Sequence, residues 1–180
     1  MKACVPNNEE AFVALYQRYE KRVFRYLMTV INDSTLAEET LVEVMLAIWK
    51  GLSTFQGQSK ASTWIFGIAH HKAVDTLRKV TNQQRGQVLL DEIIDKTESK
   101  ENPFKDAQQQ QWGDLIKQAL PTLSPDHREI LHMAFYEDLS YPEIAELLDI
   151  PVNTVKTRVY YAKQQLKKGL KRQGVTENII

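Results

Sequence analysis

The stretch whose reading decides the fold runs Leu139-Ser140-Tyr141-Pro142-Glu143-Ile144-Ala145-Glu146-Leu147-Leu148-Asp149-Ile150-Pro151-Val152-Asn153-Thr154-Val155-Lys156-Thr157-Arg158-Val159. It describes two short helices meeting at a tight turn, the second of them basic, which is the pattern of a helix-turn-helix. Ser140 can cap the first helix through its hydroxyl, and Glu143 can reach back to complete a capping box. Pro142 is tolerated in a first turn whose amides have no helical acceptor. Ile144, Leu147 and Leu148 supply the inward face, and Ala145 is small enough for another helix to cross closely. Asp149 stands where the chain must turn, a position that calls for left-handed backbone. Asn153 or Thr154 can cap the second helix. Lys156, Thr157, Arg158 and Tyr160 then lie in its first turns, the part that meets base edges when such a helix enters the major groove. From 151 to 174 there are seven Lys or Arg and no acid. A helical hairpin with a merely solvated basic face would share the charge, but not its combination with the capping pattern.

Working outward, the zero net charge of the 180-residue chain conceals a strong polarity. Residues 112–150 carry two bases against eight acids, so the basic segment is attached to an acidic support, and modest intrinsic DNA affinity is the expectation. A hydrophobic content of 43% suffices for packed cores. The single cysteine, Cys4, excludes an internal disulfide and a thiolate zinc cluster, and a lone thiol near a terminus is more often incidental than a redox sensor. The N-terminus lacks the apolar run of a signal peptide, and no apolar stretch approaches the roughly twenty residues that cross a bilayer. A cytoplasmic protein with no direct membrane insertion is expected.

Upstream, apolar residues recur at helical spacing in Phe12, Leu15, Tyr16, Tyr19, Val23, Tyr26 and Leu27, then in Leu41, Val44, Met45 and Ile48, and a third helix is predicted from about Ser62 to Lys79. Between the last two lies a polar loop with two glycines, in which Phe55 looks exposed. From about Val80 to Gln110 the composition shifts to Gln, Lys, Asp and Glu, which reads as a tether. Helices resume near Trp112, and Leu115, Ile116, Ala119, Leu120, Leu123, Ile130, Leu131, Ala134 and Phe135 are expected to form the core under the helix-turn-helix. The expected organisation is all-α: a domain over 1–79, a flexible linker over 80–111 and a second domain over 112–180.

On the second helix, Leu41, Val44, Met45 and Ile48 cluster on one side, which sends Glu39, Val42, Glu43, Leu46 and Lys50 to the other. Glu39 and Glu43 are like charges one turn apart, a pairing that costs a few tenths of a kcal/mol. Outward aliphatics among acids suit a docking face for a basic or mixed partner; a helix buried on both sides is the competing reading. On the third helix, Trp64, Ile68, His71, Asp75 and Arg78 form one stripe opposite Ile65, Ala69, Ala73 and Leu77. That mixture suits contacts with an unstacked single strand, although Trp64 by itself fits a core as well. His71 and Asp75 one turn apart do not make a metal site, and no metal or cofactor is expected. No Ser/His/Asp or Cys/His grouping and no phosphate loop is present, so catalysis is not expected either.

At this point the chain resembles an RNA polymerase sigma factor of the extracytoplasmic function (ECF) group. Phe12 to Lys79 is similar to sigma domain two, with Ala37-Glu38-Glu39 leading the docking helix and Thr63-Trp64-Ile65-Phe66-Gly67-Ile68-Ala69 opening the promoter-reading one. Asp114 to about Lys171 is similar to sigma domain four, through Leu139-Ser140-Tyr141-Pro142-Glu143-Ile144-Ala145 and Thr154-Val155-Lys156-Thr157-Arg158. The resemblance implies a non-catalytic subunit that docks on core RNA polymerase through Glu39, Val42, Glu43 and Leu46. It would capture the minus-ten element of promoter DNA as single strand, with Phe55, Gln56, Gln58, Ser59 and Lys60 around a flipped base and Trp64, His71, Asp75 and Arg78 along the strand. The helix-turn-helix would read the minus-thirty-five element as duplex through Asn153, Thr154, Lys156, Thr157, Arg158, Tyr160 and Tyr161, and the tether would occupy the RNA exit path. A dedicated anti-sigma factor, often membrane-bound, is also implied.

The chain departs from the family pattern at Val42, where many relatives have Gln, at His71, where they often have Asn, and at Tyr161, where they often have Arg. His and Tyr do not offer the donor pattern of Asn and Arg, which bears on the promoter sequence. A histidine there also raises the expectation that promoter capture varies between about pH 6 and 8, where imidazole titrates. The rival reading from another class is a stand-alone helix-turn-helix regulator whose N-terminal half senses a ligand or dimerises. A sensor should show a pocket and a symmetric seam, whereas the first half offers an outward apolar and acidic face.

Overall fold

The computed structural model describes residues 9–53, 55–87 and 119–172. Cys4, Trp112, Leu115, Ile116 and most of the tether lie outside them. The chain divides into two compact units, Met1–Ser99 and Lys100–Ile180, and every described element is helical.

In the first unit, α1 (Glu9–Ile31) begins with Glu9 and Glu10, acids that favour a helix N-terminus. It buries Leu15, Tyr19, Val23, Tyr26, Leu27 and Ile31, the spacing of one helical face. It stops at Asn32, whose φ of 58° is left-handed. Asp33 then caps α2 (Ser34–Gly51), its carboxylate accepting the Leu36 amide at 2.9 Å. The inward side of α2 is Ala37, Thr40, Val44, Met45 and Ile48: the predicted Val44, Met45 and Ile48 are buried, while the predicted Leu41 is only part-buried and Ala37 and Thr40 complete the face. The polar Thr40 is accommodated because its hydroxyl donates to the Leu36 carbonyl at 2.6 Å and meets the Thr76 hydroxyl at 3.0 Å.

α3 (Ala61–Gln87) contributes Ile65, Phe66, Ala69 and Ala73, whose small members let it approach its neighbours closely. The Phe66 ring meets Tyr26 edge-on at 5.5 Å, and the Tyr26 hydroxyl lies 3.2 Å from His70 Nδ1. The helix runs eight residues past Lys79, into the stretch read as tether. Val80 to Gln87 contains no Pro, its one Gly comes only at 86, and the Thr81 hydroxyl satisfies the Leu77 carbonyl at 2.8 Å. Polar composition alone does not break a helix already begun.

In the second unit, a 3₁₀ turn (Leu120–Thr122) leads to α4 (Pro125–Leu131), capped by Ser124 through the His127 amide. The chain then widens into a π turn (His132–Tyr136) before α5 (Tyr141–Leu148) and α6 (Val152–Arg172). The π turn corrects one expectation. Phe135 is 58% exposed rather than in the core, and Met133 is fully buried. The extra residue in a π turn shifts the helical phase, so a count at 3.6 residues per turn puts the wrong side chain inside. Exposed Phe135 instead lies under the Lys163 ammonium, 4.7 Å from the ring centroid. His132 and Glu137, both buried, stand 3.3 Å apart within the same turn.

Candidate functional site

The helix-turn-helix forms around the residues that announced it. The Ser140 hydroxyl accepts from the Glu143 amide at 3.5 Å and Glu143 Oε2 accepts the Ser140 amide at 2.8 Å, which closes the capping box. Asp149 ends α5 at φ 52°, ψ 48°, left-handed as the turn requires. The second helix starts earlier than its expected caps. α6 begins at Val152, with the amides of Thr154 and Val155 donating to the Pro151 carbonyl at 2.8 and 3.2 Å. Asn153 and Thr154 are therefore inside the helix, and the Asn153 carbonyl accepts the Thr157 hydroxyl at 2.8 Å.

Val155, Val159, Ala162, Gly169 and Leu170 anchor α6, leaving Asn153, Lys156, Thr157, Tyr160 and Tyr161 exposed on its outer side. The two tyrosines meet edge-on at 5.5 Å. Arg158 departs from this group: it lies on the flank, part-buried, with Nη1 3.0 Å from Asp126 Oδ2 of α4. Sequence reasoning missed this pair because its members are far apart in the chain.

In the first unit the outward face of α2 is open. Val42 is 63% exposed and Leu46 47%, with Glu39, Glu43 and Lys50 also exposed, so among the described residues nothing buries this side of the helix. Trp49, which sequence reasoning passed over, extends the stripe; it is 38% exposed, with the Phe12 ring against it at 4.7 Å. The 42, 46, 49 spacing was the signal that could have found it.

Glu43 is not simply a repelled neighbour of Glu39. Its carboxylate accepts from Lys72 Nζ at 3.1 Å and lies 3.8 Å from Lys79 Nζ, both on α3. The hydrogen bond from Lys72 holds the Glu43 carboxyl below its usual range, with partial burial opposing and the charges of Lys72 and Lys79 assisting.

On α3, His71, Asp75 and Arg78 are exposed along one line, with Arg78 Nη1 3.7 Å from Asp75 Oδ1. Trp64 and Phe55 are both part-buried, with centroids 4.9 Å apart, so Phe55 is not the free aromatic its polar setting suggested. The Gly51 backbone approaches the same indole so closely that a Cβ there would stand 2.9 Å from Cζ2. Beyond this aromatic floor the loop is exposed from Gln56 to Lys60. Gly57 is left-handed at φ 72°, and Gln58 Nε2 donates to Gln56 Oε1 at 2.9 Å. The geometry is a rimmed surface of amides, hydroxyl and ammonium beside two rings tilted 44° to one another, chemistry that can hold a base by its edge and its face.

Residues 15–83 match the Sigma-70 region 2 family and residues 113–166 the Sigma-70, region 4 family. The ECF RNA polymerase sigma factor SigX of Bacillus subtilis is 30% identical over 162 residues, covering 89% of this chain and 84% of its own. The RNA polymerase sigma factor YlaC of the same organism is 26% identical over 165 residues, covering 92% and 95%. Among solved structures, the sigma factor RpoE in complex with the anti-sigma factor NepR from Bartonella quintana aligns with a TM-score of 0.71 at 18% identity. That alignment covers 90% of this chain and 98% of RpoE. CnrH, solved with the cytosolic domain of CnrY, aligns with a TM-score of 0.60 at 19% identity over 92% and 91%.

Proposed function

From the premise that this chain belongs to the ECF family of RNA polymerase sigma factors and directs transcription initiation, we propose which of its residues carry each step. It binds core RNA polymerase and promoter DNA. The stand-alone regulator is set aside, because the half it assigned to sensing is the half that matches Sigma-70 region 2. The finer assignment is a non-catalytic, cytoplasmic subunit with a domain for docking and the minus-ten element over 1–79, prolonged by the continuation of α3 to Gln87, a linker over the rest of 80–111 and a domain for the minus-thirty-five element over 112–180.

Docking falls to Glu39, Val42, Glu43 and Leu46, supported by the exposure of two aliphatics among acids on α2. Burying them against a polymerase helix supplies apolar contact, and Glu39 and Glu43 supply register toward a basic partner. The loop from Phe55 to Lys60 takes a flipped base of the minus-ten element, and Trp64, His71, Asp75 and Arg78 follow the strand. Extrusion costs a few kcal/mol, which stacking at about 1–3 kcal/mol per base and edge hydrogen bonds return. On α6, Lys156, Thr157, Tyr160 and Tyr161 face the minus-thirty-five duplex, with Asn153, Thr154 and Arg158 toward its backbone. An anti-sigma factor is the expected regulator, on the precedent of RpoE solved with NepR.

The observation that carries this reading is the pair of family matches in order along one chain. Run-off transcription with sigma-free core polymerase on fragmented source DNA tests it. New RNA starts that depend on this protein and share two spaced upstream motifs are expected. Clean DNA binding with no new starts would overturn it.

A further inference from the structure

Arg158 differs from the rest of the outer side of α6 in being occupied already. Its guanidinium meets the Asp126 carboxylate at 3.0 Å, and beside that contact His127 Nδ1 and Gln165 Oε1 stand 3.4 Å apart. The first turn of α4 thus meets α6 at two neighbouring points. Asp126 stays open to solvent at 61% while Arg158 is part-buried at 34%, so the carboxylate side of the pair can be exchanged without opening the fold. An exposed carboxylate on a guanidinium presents the same forked oxygens, at the same reach, as a DNA phosphate.

We propose that Asp126 is an internal stand-in for a DNA phosphate: it occupies Arg158 in the free chain and yields it to the duplex backbone on binding. The exchange rests on the reading of α6 as the duplex-facing helix. Because one anion replaces another, the contact adds little net affinity and releases few counterions. Asp126 therefore holds down binding to arbitrary DNA while leaving the base-facing Lys156, Thr157, Tyr160 and Tyr161 untouched. The chain's net charge of zero and the acidic support of α6 act in the same direction.

The test uses the full chain and a fluorescein-labelled random-sequence duplex, because phosphate contacts carry no sequence information. Anisotropy is read between about 50 and 200 mM salt. Asp126→Asn is expected to bind about two- to fivefold more tightly, the range an exposed ion pair spans, and Asp126→Glu to match the unsubstituted chain. The slope of log affinity against log salt is expected to steepen by about one in Asp126→Asn, as Arg158 becomes a full phosphate contact. The gain should vanish in an Arg158→Ala background. Weaker binding by Asp126→Asn would overturn the proposal in favour of an orienting role, and a gain that survives Arg158→Ala would reduce it to general charge. If Lys156→Ala leaves unchanged the binding of a duplex carrying the upstream motif found by run-off transcription, the assignment of α6 itself fails; loss there with no response in Asp126→Asn on the random duplex sinks the exchange alone.

Discussion

The docking assignment makes the strongest quantitative demand on the structure. Val42→Lys combined with Leu46→Lys places two ammonium groups on the outward face of α2 without entering the core formed by Ala37, Val44, Met45 and Ile48. Fully burying a Val or Leu side chain is worth about 1.5–3 kcal/mol. Val42 and Leu46 still expose 63% and 47% of their surface, so roughly half that value at each position remains to be gained on docking. Losing both amounts to about 1.5–3 kcal/mol, or roughly a ten- to 150-fold weaker complex with core polymerase, before any cost of desolvating the lysines. Folding should be nearly indifferent, within about 0.5 kcal/mol, because exposed positions carry little stability. Labelled chain titrated with sigma-free core polymerase gives the first quantity, and thermal denaturation followed by circular dichroism gives the second. A folded double variant that binds core within a factor of about three of the original would refute the assignment, since it leaves less than 1 kcal/mol for the whole stripe.

Lys156→Ala should weaken upstream duplex binding, by about 1–3 kcal/mol if the lost group makes a bidentate base contact, or with a salt slope lowered by about one if it makes only a phosphate contact. Ser140→Ala removes the hydroxyl half of the capping box and should cost about 0.5–2 kcal/mol, seen as a thermal midpoint several degrees lower; an unchanged midpoint contradicts the capping argument. Gly51→Ala drives a methyl toward the Trp64 ring, 2.9 Å from Cζ2, and should cost about 1–3 kcal/mol while weakening capture of a single-stranded minus-ten oligonucleotide. Intact strand binding with unchanged stability would remove Trp64 from the floor of that site. Glu43 titrates below the usual range because Lys72 donates to it, so its stabilisation is complete above that range and fades as pH falls through the lowered value. Lys72→Ala should flatten the acid limb of the stability curve by less than about 1 kcal/mol, small because the carboxylate is 46% exposed.

What was legible in the sequence was local. Ser140 and Glu143 stand at capping-box spacing, Asp149 sits at a helix end, and Val42 and Leu46 oppose an aliphatic stripe; each needs only helical geometry to be placed. What escaped depends on partners that spacing does not show. Phe135 points outward because the turn at His132 to Tyr136 is wider than an α-turn, and no residue type announces that widening. Phe55 is drawn onto Trp64 by a ring that lies on the next helix. Glu43 looks repelled by Glu39 until α3 brings Lys72 and Lys79 beside it. The run past Lys79 looked like tether from its polar composition, yet nothing in it interrupts α3 before Gln87.

Three described residues other than glycine hold positive φ: Asn32 at 58°, Asp138 at 54° and Asp149 at 52°. Each closes a helical segment with a backbone conformation that costs an L-residue free energy glycine would not spend. At Asp149, relief of that strain less the extra chain entropy of glycine amounts to up to about 1 kcal/mol, a factor of about five in the opened population of the second unit. Degradation by cellular proteases follows the opened population when opening is fast compared with cleavage. In that regime Asp149→Gly is expected to lower the opened population and so slow loss of the chain once its synthesis stops, a difference that a pulse-chase comparison of the two chains reads.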